Sequence, residues 1–246
     1  MQHFFVTPDQ VEKDTIWIEG TDVNHIKNVL RMKIGEQLEI SDGNNQRYLC
    51  EISVLGTNMV ETKIIEKCVS DTEPSSHIVL FQGLPKADKM EWIIQKSVEL
   101  GVGEVVPVAT KRTVVKLDDK KAKKKTERWQ TISESAAKQA GRGKVPKIQK
   151  VMTFSEALEE AKMLDCVLIP YELAEGMEET RRIMAEIKKG MSIGIFIGPE
   201  GGFEREEVKK AIEEASALPI TLGKRILRTE TAGLTVLSIL TYLLEE

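Results

Sequence analysis

The sequence predicts an α/β protein in two parts, a small N-terminal β-barrel followed by a larger domain on a mostly parallel sheet. Three observations carry this reading. Up to about residue 70, short β-rich segments alternate with turn signals, and one helical pattern interrupts them. A polar linker follows, Ser70-Asp71-Thr72-Glu73-Pro74-Ser75-Ser76. Beyond it, apolar strands alternate with amphipathic helices, as in a parallel sheet covered on both faces. The domains are accordingly placed at residues 1–72 and 73–246.

In the first part, strands are expected around Val6, Ile16 to Ile18, Gln37 to Ile40, Tyr48 to Val54 and Val60 to Ile65. Asp42-Gly43-Asn44 and Gly56-Thr57-Asn58 are turns between them. The helix is expected from Asp22 to Met32, with Ile26, Val29 and Leu30 on one face.

In the second part, strands are expected at His77 to Gln82, Glu104 to Val108, Asp165 to Ile169, Ser192 to Ile197 and Leu218 to Leu222. Helices are expected at Lys86 to Leu100, Asp118 to Ala140, Thr153 to Lys162, Glu178 to Lys188, Glu204 to Ser216 and Thr229 to Leu244. Thr153 and Glu156 fit a capping box. Val208, Ala211, Ile212 and Ala215 give the Glu204 helix one apolar side.

Composition excludes several classes. Of 246 residues, 41% are hydrophobic and 30% charged, an ordinary globular balance. No apolar run is long enough to span a bilayer, and the N-terminus lacks a basic and apolar leader. Cys50, Cys68 and Cys166 are far apart and read as buried thiols of a reducing cytoplasm. His3, His25 and His77 are scattered too, so no metal site is expected. The net charge is −4, yet residues 111–150 carry fourteen Lys and Arg against four Asp and Glu. A concentrated basic stripe on an acidic protein points to a polyanion, although a solvated helix face gives the same pattern.

Three expected strands run into loops at the same edge of the sheet: Pro170-Tyr171-Glu172, Gly198-Pro199-Glu200-Gly201-Gly202-Phe203, and Gly223-Lys224-Arg225-Ile226-Leu227-Arg228. That edge is where open parallel sheets bind ligands. Glycines there let backbone N–H and C=O groups approach an adenine edge, although tight strand–helix turns use them too. There is no G-x-G-x-x-G after the first strand of this part, and Gly141-Arg142-Gly143-Lys144 lacks P-loop spacing.

At these residues the chain resembles a known family. IGPEGGF (Ile197 to Phe203) and LGKRILRTETA (Leu222 to Ala232) are similar to the signature loops of the RsmE family, in the SPOUT superfamily of methyltransferases. HIKNVLRMKIGE (His25 to Glu36), GLPKADKMEWIIQKSVELGV (Gly83 to Val102) and SAAKQAGR (Ser135 to Arg142) match further segments in the same order. The resemblance implies a PUA-like RNA-binding barrel, a SPOUT methyltransferase domain with a C-terminal trefoil knot, and a homodimer. It also implies methyl transfer from S-adenosylmethionine to uridine N3 of 16S ribosomal RNA, with no metal. The alternative is a non-catalytic RNA-binding ribosome-assembly factor that keeps the fold.

The cofactor residues expected are Ile169, Pro170, Gly198, Pro199, Glu200, Gly201, Gly202, Leu222, Gly223, Ile226, Leu227, Thr231 and Ala232. Uracil N3 carries a proton at neutral pH, so transfer needs that proton removed and the developing anion stabilised. Arg228 is the candidate cation, or else a structural partner of Glu230 or Glu200; Glu172 or Glu230 is the candidate proton acceptor. RNA contacts are expected from His25, Arg31, Lys86, Lys89, Lys111, Arg112, Arg142 and the run Lys120 to Lys125, with core packing the alternative for His25.

Two residues depart from the expected pattern: Glu204, where a capping Ser or Thr is common in the family, and Gly233, early in the last helix. That helix carries Leu234, Val236, Leu237, Ile239, Leu240, Leu243 and Leu244 around most of its circumference. It therefore needs cover on two sides; a symmetric partner that would meet Leu240 is the simplest second cover, with the N-terminal barrel or an internal helix as the alternative.

Overall fold

A computed structural model describes residues 1–172, 174 and 176–245. The chain divides into two compact units: residues 1–73 with 137–145, and residues 74–136 with 146–246.

The first unit is a five-stranded sheet of β1 (His3–Phe5), β2 (Thr15–Glu19), β3 (Gln37–Ser41), β4 (Gln46–Leu55) and β5 (Met59–Val69). The hydrogen-bonded order is β1-β3-β4-β5-β2. Only β1 and β3 run parallel. No ladder joins β1 to β2 among the described residues, so the expected barrel is open there. A helical turn covers the core instead, as α1 (Thr21–Asn24) continuing into a π-helical turn, His25–Val29. Its Val23 and Ile26 pack with Phe4, Ile16, Leu38 and Ile52. The helix is shorter than expected, because Arg31 takes a left-handed φ of 55°. Val29 consequently points outward, 62% exposed.

Residues 137–145 complete this unit, held chiefly by one largely buried carboxylate. Glu73 accepts from Arg142 Nη2 at 2.6 Å, from Gly143 N at 2.9 Å and from Lys144 N at 3.2 Å. Arg142 is only 4% exposed. Lys138 pairs with Asp22 at 2.7 Å.

The second unit is a parallel sheet of β6 (His77–Gly83), β7 (Glu104–Ala109), β8 (Lys147–Ile148), β9 (Met152–Thr153), β10 (Cys166–Pro170), β11 (Ser192–Ile197) and β12 (Leu218–Ile220). The order is β12-β10-β11-β6-β7-β8, with β9 also on β7. The two-residue β8 and β9 were not expected; they are too short for a periodic signal.

The helices are α2 (Lys89–Glu99), α3 (Asp119–Gln139), α4 (Phe154–Ala161), α5 (Met177–Glu186), α6 (Arg205–Ala215) and α7 (Thr229–Leu244). On one face, Phe81, Val106, Ile169 and Phe196 pack with Phe154, Leu158, Val208 and Ala211 of α4 and α6. Phe81 and Phe196 stack at 4.4 Å between ring centroids. The other face carries α7, itself packed on α2. Both faces being covered explains why β6 and β11 are apolar along nearly their whole length.

Helix ends follow local chemistry. Thr153 and Glu156 form the expected capping box, with the Glu156 carboxylate 2.8 Å from Thr153 N. Asp118 accepts from Lys121 N at 2.8 Å at the start of α3. That acid offsets the unfavourable placement of the following lysines against the helix dipole.

Three side chains lie elsewhere than expected. Cys68 is exposed, because the last residues of β5 are solvated on both faces; Cys50 and Cys166 are buried. Burial pushes the Cys50 thiol up to about 11. Ile212 is half exposed at the rim of α6. Leu240 is fully buried within its own unit, while Tyr242 is 86% exposed. The apolar circumference of α7 is therefore largely covered by its own chain, and Leu240 cannot meet a partner.

Gly233 tests this packing. A Cβ there would lie 3.5 Å from Ile197 Cγ1 and 3.7 Å from Leu80 Cδ1, ordinary contacts. Gly233→Ala is expected to stabilise the protein by about 1 kcal/mol through helix propensity. Urea unfolding should show a higher midpoint at an unchanged slope; a lower midpoint would mean that α7 needs the bare backbone.

Candidate functional site

The carboxyl ends of β10, β11 and β12 open into a cavity of about 510 Å³. That is the range of sites for cofactor-sized ligands. Its walls are the three loops singled out in the sequence, with Lys89 and the start of α7.

A buried hydrogen-bond bracket holds these loops. Thr229 Oγ1 donates to Gly198 O at 2.6 Å and accepts from Gln82 Nε2 at 2.9 Å. Gln82 Nε2 also donates to Gly83 O at 2.9 Å. One hydroxyl thus ties the end of β6, the loop after β11 and the first turn of α7. Gln82 Oε1 is buried without a partner among the described residues.

Backbone shape does the rest. Gly202 N donates to Pro199 O at 2.8 Å in a turn that gives Gly202 a φ of 67°. A Cβ on Gly198 would fall 2.9 Å from the Gly202 carbonyl carbon, so only glycine permits this fold-back. Gly223 needs its freedom for a φ of 105°. Tyr171 N donates to Ile220 O at 3.0 Å, joining the first and third loops.

Charged groups fix the outer wall. Arg112 Nη1 donates to Gly201 O at 2.7 Å, and its Nε to Glu204 at 3.0 Å. The Glu204 carboxyl is held below its usual range by Arg112. Glu204 thus serves as a partner of Arg112, while Glu207 caps its backbone N–H at 2.9 Å. Lys89 lies 3.0 Å from Glu200 and 3.4 Å from Glu230. Burial opposes ionisation of Glu200, but Lys89 together with the backbone N–H groups of Glu200 and Lys86 keeps this carboxyl below its usual range.

Most of the expected ligand residues line the cavity: Pro170, Glu172, Gly198, Pro199, Glu200, Gly201, Gly202, Leu222, Gly223, Ile226, Leu227, Arg228 and Ala232. Ile169 does not. Strand alternation turns it into the core against α4 and α6. Thr231 is exposed on α7, away from the wall. Glu230 stands behind the wall, paired with Lys89. The Arg228 side chain is 81% exposed, with Glu230 at 4.0 Å.

The basic residues expected to meet RNA fall into two groups. His25, Arg31, Lys86 and Lys111 are exposed. Arg142, Lys89 and Arg112 are engaged by Glu73, Glu200 and Glu204. Their charges are already compensated, which sequence spacing did not reveal. Gln82 and Thr229 were missed outright. The signal for Gln82 was present, as a polar residue closing an otherwise apolar strand.

Comparison with known proteins gives consistent results. An RNA methyltransferase domain family matches residues 72–241, and an RNA methyltransferase PUA domain family matches residues 18–65. The chain is 39% identical to ribosomal RNA small subunit methyltransferase E of Bacillus subtilis (strain 168), over 98% of this chain and 96% of that protein. It is 35% identical to the protein of the same name in Mesomycoplasma hyopneumoniae (strain 232), covering 97% and 98%. Its fold is similar to a ribosomal RNA small subunit methyltransferase E from Neisseria gonorrhoeae bound to S-adenosyl methionine. There the TM-score is 0.86 at 32% identity, covering 99% and 98% of the two chains.

The bracket yields a test. Thr229→Val keeps the shape but leaves Gly198 O without its donor and deprives Gln82 of an acceptor. A loss of about 1–3 kcal/mol is expected in chemical unfolding. Gly198→Ala should weaken ligand binding as well, since its Cβ collides with backbone. Two variants of wild-type stability and affinity would show that the loops are held by other means.

Proposed function

Because the chain belongs to the RNA methyltransferase family that includes ribosomal RNA small subunit methyltransferase E, we propose that it transfers a methyl group from S-adenosylmethionine to N3 of a uridine in 16S ribosomal RNA. The observation that carries this reading is the cavity at the carboxyl edge of the sheet, walled by three backbone-rich loops. The residues fit such a cofactor. Gly198 and Gly202 bring backbone amides and carbonyls close without side chains, and the volume suits a nucleoside-sized ligand. When bound, the cofactor supplies an electrophilic methyl group on a sulfonium.

The protein's residues then have three tasks. The loops after β10, β11 and β12 orient the donor and exclude water. Arg228 reaches out beside the cavity, where its cation favours the anion that develops on the uracil ring. Glu230 or Glu172 takes the N3 proton. N3 lies on the Watson–Crick edge, so the target base must be unpaired or flipped out. His25, Arg31, Lys86, Lys111 and the run Lys120 to Lys125 serve the phosphates. Arg112 and Lys89 hold the wall, and Arg142 holds the first unit together.

The same reading makes the chain a cytoplasmic homodimer with a C-terminal trefoil knot, a PUA-like domain at 1–72 and a methyltransferase domain at 73–246. The exposure of Ile226, at 87%, supports a partner surface beside the site. Among the described residues, no helix is long and apolar enough to cross a membrane and no cluster suits a metal ion.

Mass spectrometry of 16S ribosomal RNA from a deletion strain should show one uridine lacking its N3 methyl group. The wild-type gene should restore the mark and Gly223→Val should not, because a branched side chain is strained at that φ. An unchanged methylation pattern would favour a non-catalytic assembly factor. RNA affinity should fall steeply with salt, and reversing several lysines from Lys120 to Lys125 should flatten the slope. An unchanged slope would make that run a solvated helix face.

A further inference from the structure

We propose that a polar pocket on the first unit, distinct from the methyl-transfer cavity, binds one unpaired RNA nucleotide: the carboxamides of Asn24, Asn28 and Asn58 read the edge of its base, and Lys27 takes its phosphate. The inference rests on the RNA methyltransferase reading above and adds to it a place where the substrate's sequence is read.

The pocket measures about 340 Å³ and is walled by two segments remote in sequence. Asn24, Lys27 and Asn28 come from α1 and its π-helical continuation, and Thr57 and Asn58 from the turn between β4 and β5. Lys27 joins the two walls, its Nζ donating to Gly56 O at 2.6 Å. Leu30 N donates to His25 O, five residues back, at 2.9 Å, so the helix takes up one extra residue in this turn. Such turns are rare and recur at functional sites. Here the widened turn carries both Lys27 and Asn28 into the pocket wall.

The pocket offers hydrogen bonding without negative charge. No carboxylate lines it. From Asn24 to Gly35 the chain carries Lys27, Arg31 and Lys33 and no acid, so one wall belongs to a basic stretch. Lys27 spends one of its three N–H donors on Gly56 and keeps two for an anion. Asn28 Nδ2 donates to Asn24 Oδ1 at 2.6 Å. That bond aligns the two amides and leaves Asn28 Oδ1 as an acceptor beside the remaining donors of Asn24. Thr57 and Asn58, exposed on the facing turn, add a hydroxyl and a third amide.

A nucleotide matches this set better than a simpler anion. An isolated phosphate would use Lys27 and leave three carboxamides idle. A base edge presents donors and acceptors side by side, which is what paired amides recognise. No aromatic side chain lines the pocket, so a base there is read by its edge and not by stacking. Only an unpaired base offers its whole edge, so the partner is RNA in a loop or single strand.

The test is binding of protein-free 16S ribosomal RNA to the full-length protein over a range of salt, with S-adenosylhomocysteine filling the cofactor cavity. Asn28→Ala with Asn58→Ala is expected to weaken binding by roughly tenfold or more at an unchanged salt slope, because amides release no counterions. Lys27→Gln should weaken binding and lower the slope by about one. In methyl transfer, RNA KM should rise in step while kcat stays within about twofold. Asn58→Ala alone, in an exposed turn, should weaken binding at the wild-type urea midpoint, which separates recognition from folding. As a direct probe, the four ribonucleoside 5′-monophosphates should shift the side-chain amide signals of the three asparagines in NMR spectra, saturably and with one base preferred.

Wild-type affinity in all these variants would make the pocket a solvated hollow and overturn the proposal. A loss confined to Lys27→Gln, or amide shifts that inorganic phosphate reproduces, would leave a phosphate contact only and overturn it as well. Loss of affinity for the assembled small subunit but not for free RNA would assign the pocket to a protein partner, with the same consequence. A protein that binds RNA through this pocket but transfers no methyl group would support the proposal and overturn the methyl-transfer reading alone. One that binds no ribosomal RNA would overturn both.

Discussion

The site depends on the hydroxyl of Thr229. Irregular backbone cannot be buried unless its polar groups find partners. Three irregular segments converge at this edge of the sheet, and Thr229 satisfies two of them at once, by donating to Gly198 O and accepting from Gln82. A hydroxyl suits this task because it donates and accepts through one atom. The fold-back of Gly198 on Gly202, the entry angle of α7 and the end of β6 are thus set by one small network. The cavity is the space these segments leave between them.

Electrostatics supplies the second layer. Arg112 pins Gly201 from the segment after β7, and Lys89 pins Glu200 from the start of α2. Each cation spans segments that are remote in sequence, so the loops are cross-braced from outside as well as bracketed from within. Arg228 and, on α3, Lys120, Lys123 and Lys124 stand exposed with charge largely available to an anion, whereas Lys121 and Lys138 of the same helix pair with Asp118 and Asp22. A basic residue that holds the protein together and one that holds a polyanion look alike in composition. They differ in the carboxylate beside them.

Much of this was legible in the sequence. Periodicity located all the longer strands and helices, because a sheet covered on both faces requires apolar strands and one-sided helices. The three glycine-containing loops were identifiable from their place after successive strands, and the structure brings them to one cavity. Errors arose where a single residue's direction mattered. Ile169 and Pro170 are neighbours, yet alternation sends one into the core and only the other to the cavity. Arg31 ended its helix early by adopting a left-handed conformation that no periodicity marks.

The sequence by itself determined the division into a β-rich part and a parallel α/β part, the sheet edge where the cavity opens, and the glycines that bring bare backbone to its wall. These follow from patterns within a few residues of each other, where the physics is local. Only the tertiary structure decided which cations are spent. Arg142 meets Glu73, Arg112 meets Glu204 and Lys89 meets both Glu200 and Glu230. It alone also decided that α7 turns Leu240 inward and Tyr242 outward. Such pairings join residues far apart along the chain. Coulomb energy and burial depend on distance in space, which a sequence does not contain until it has folded.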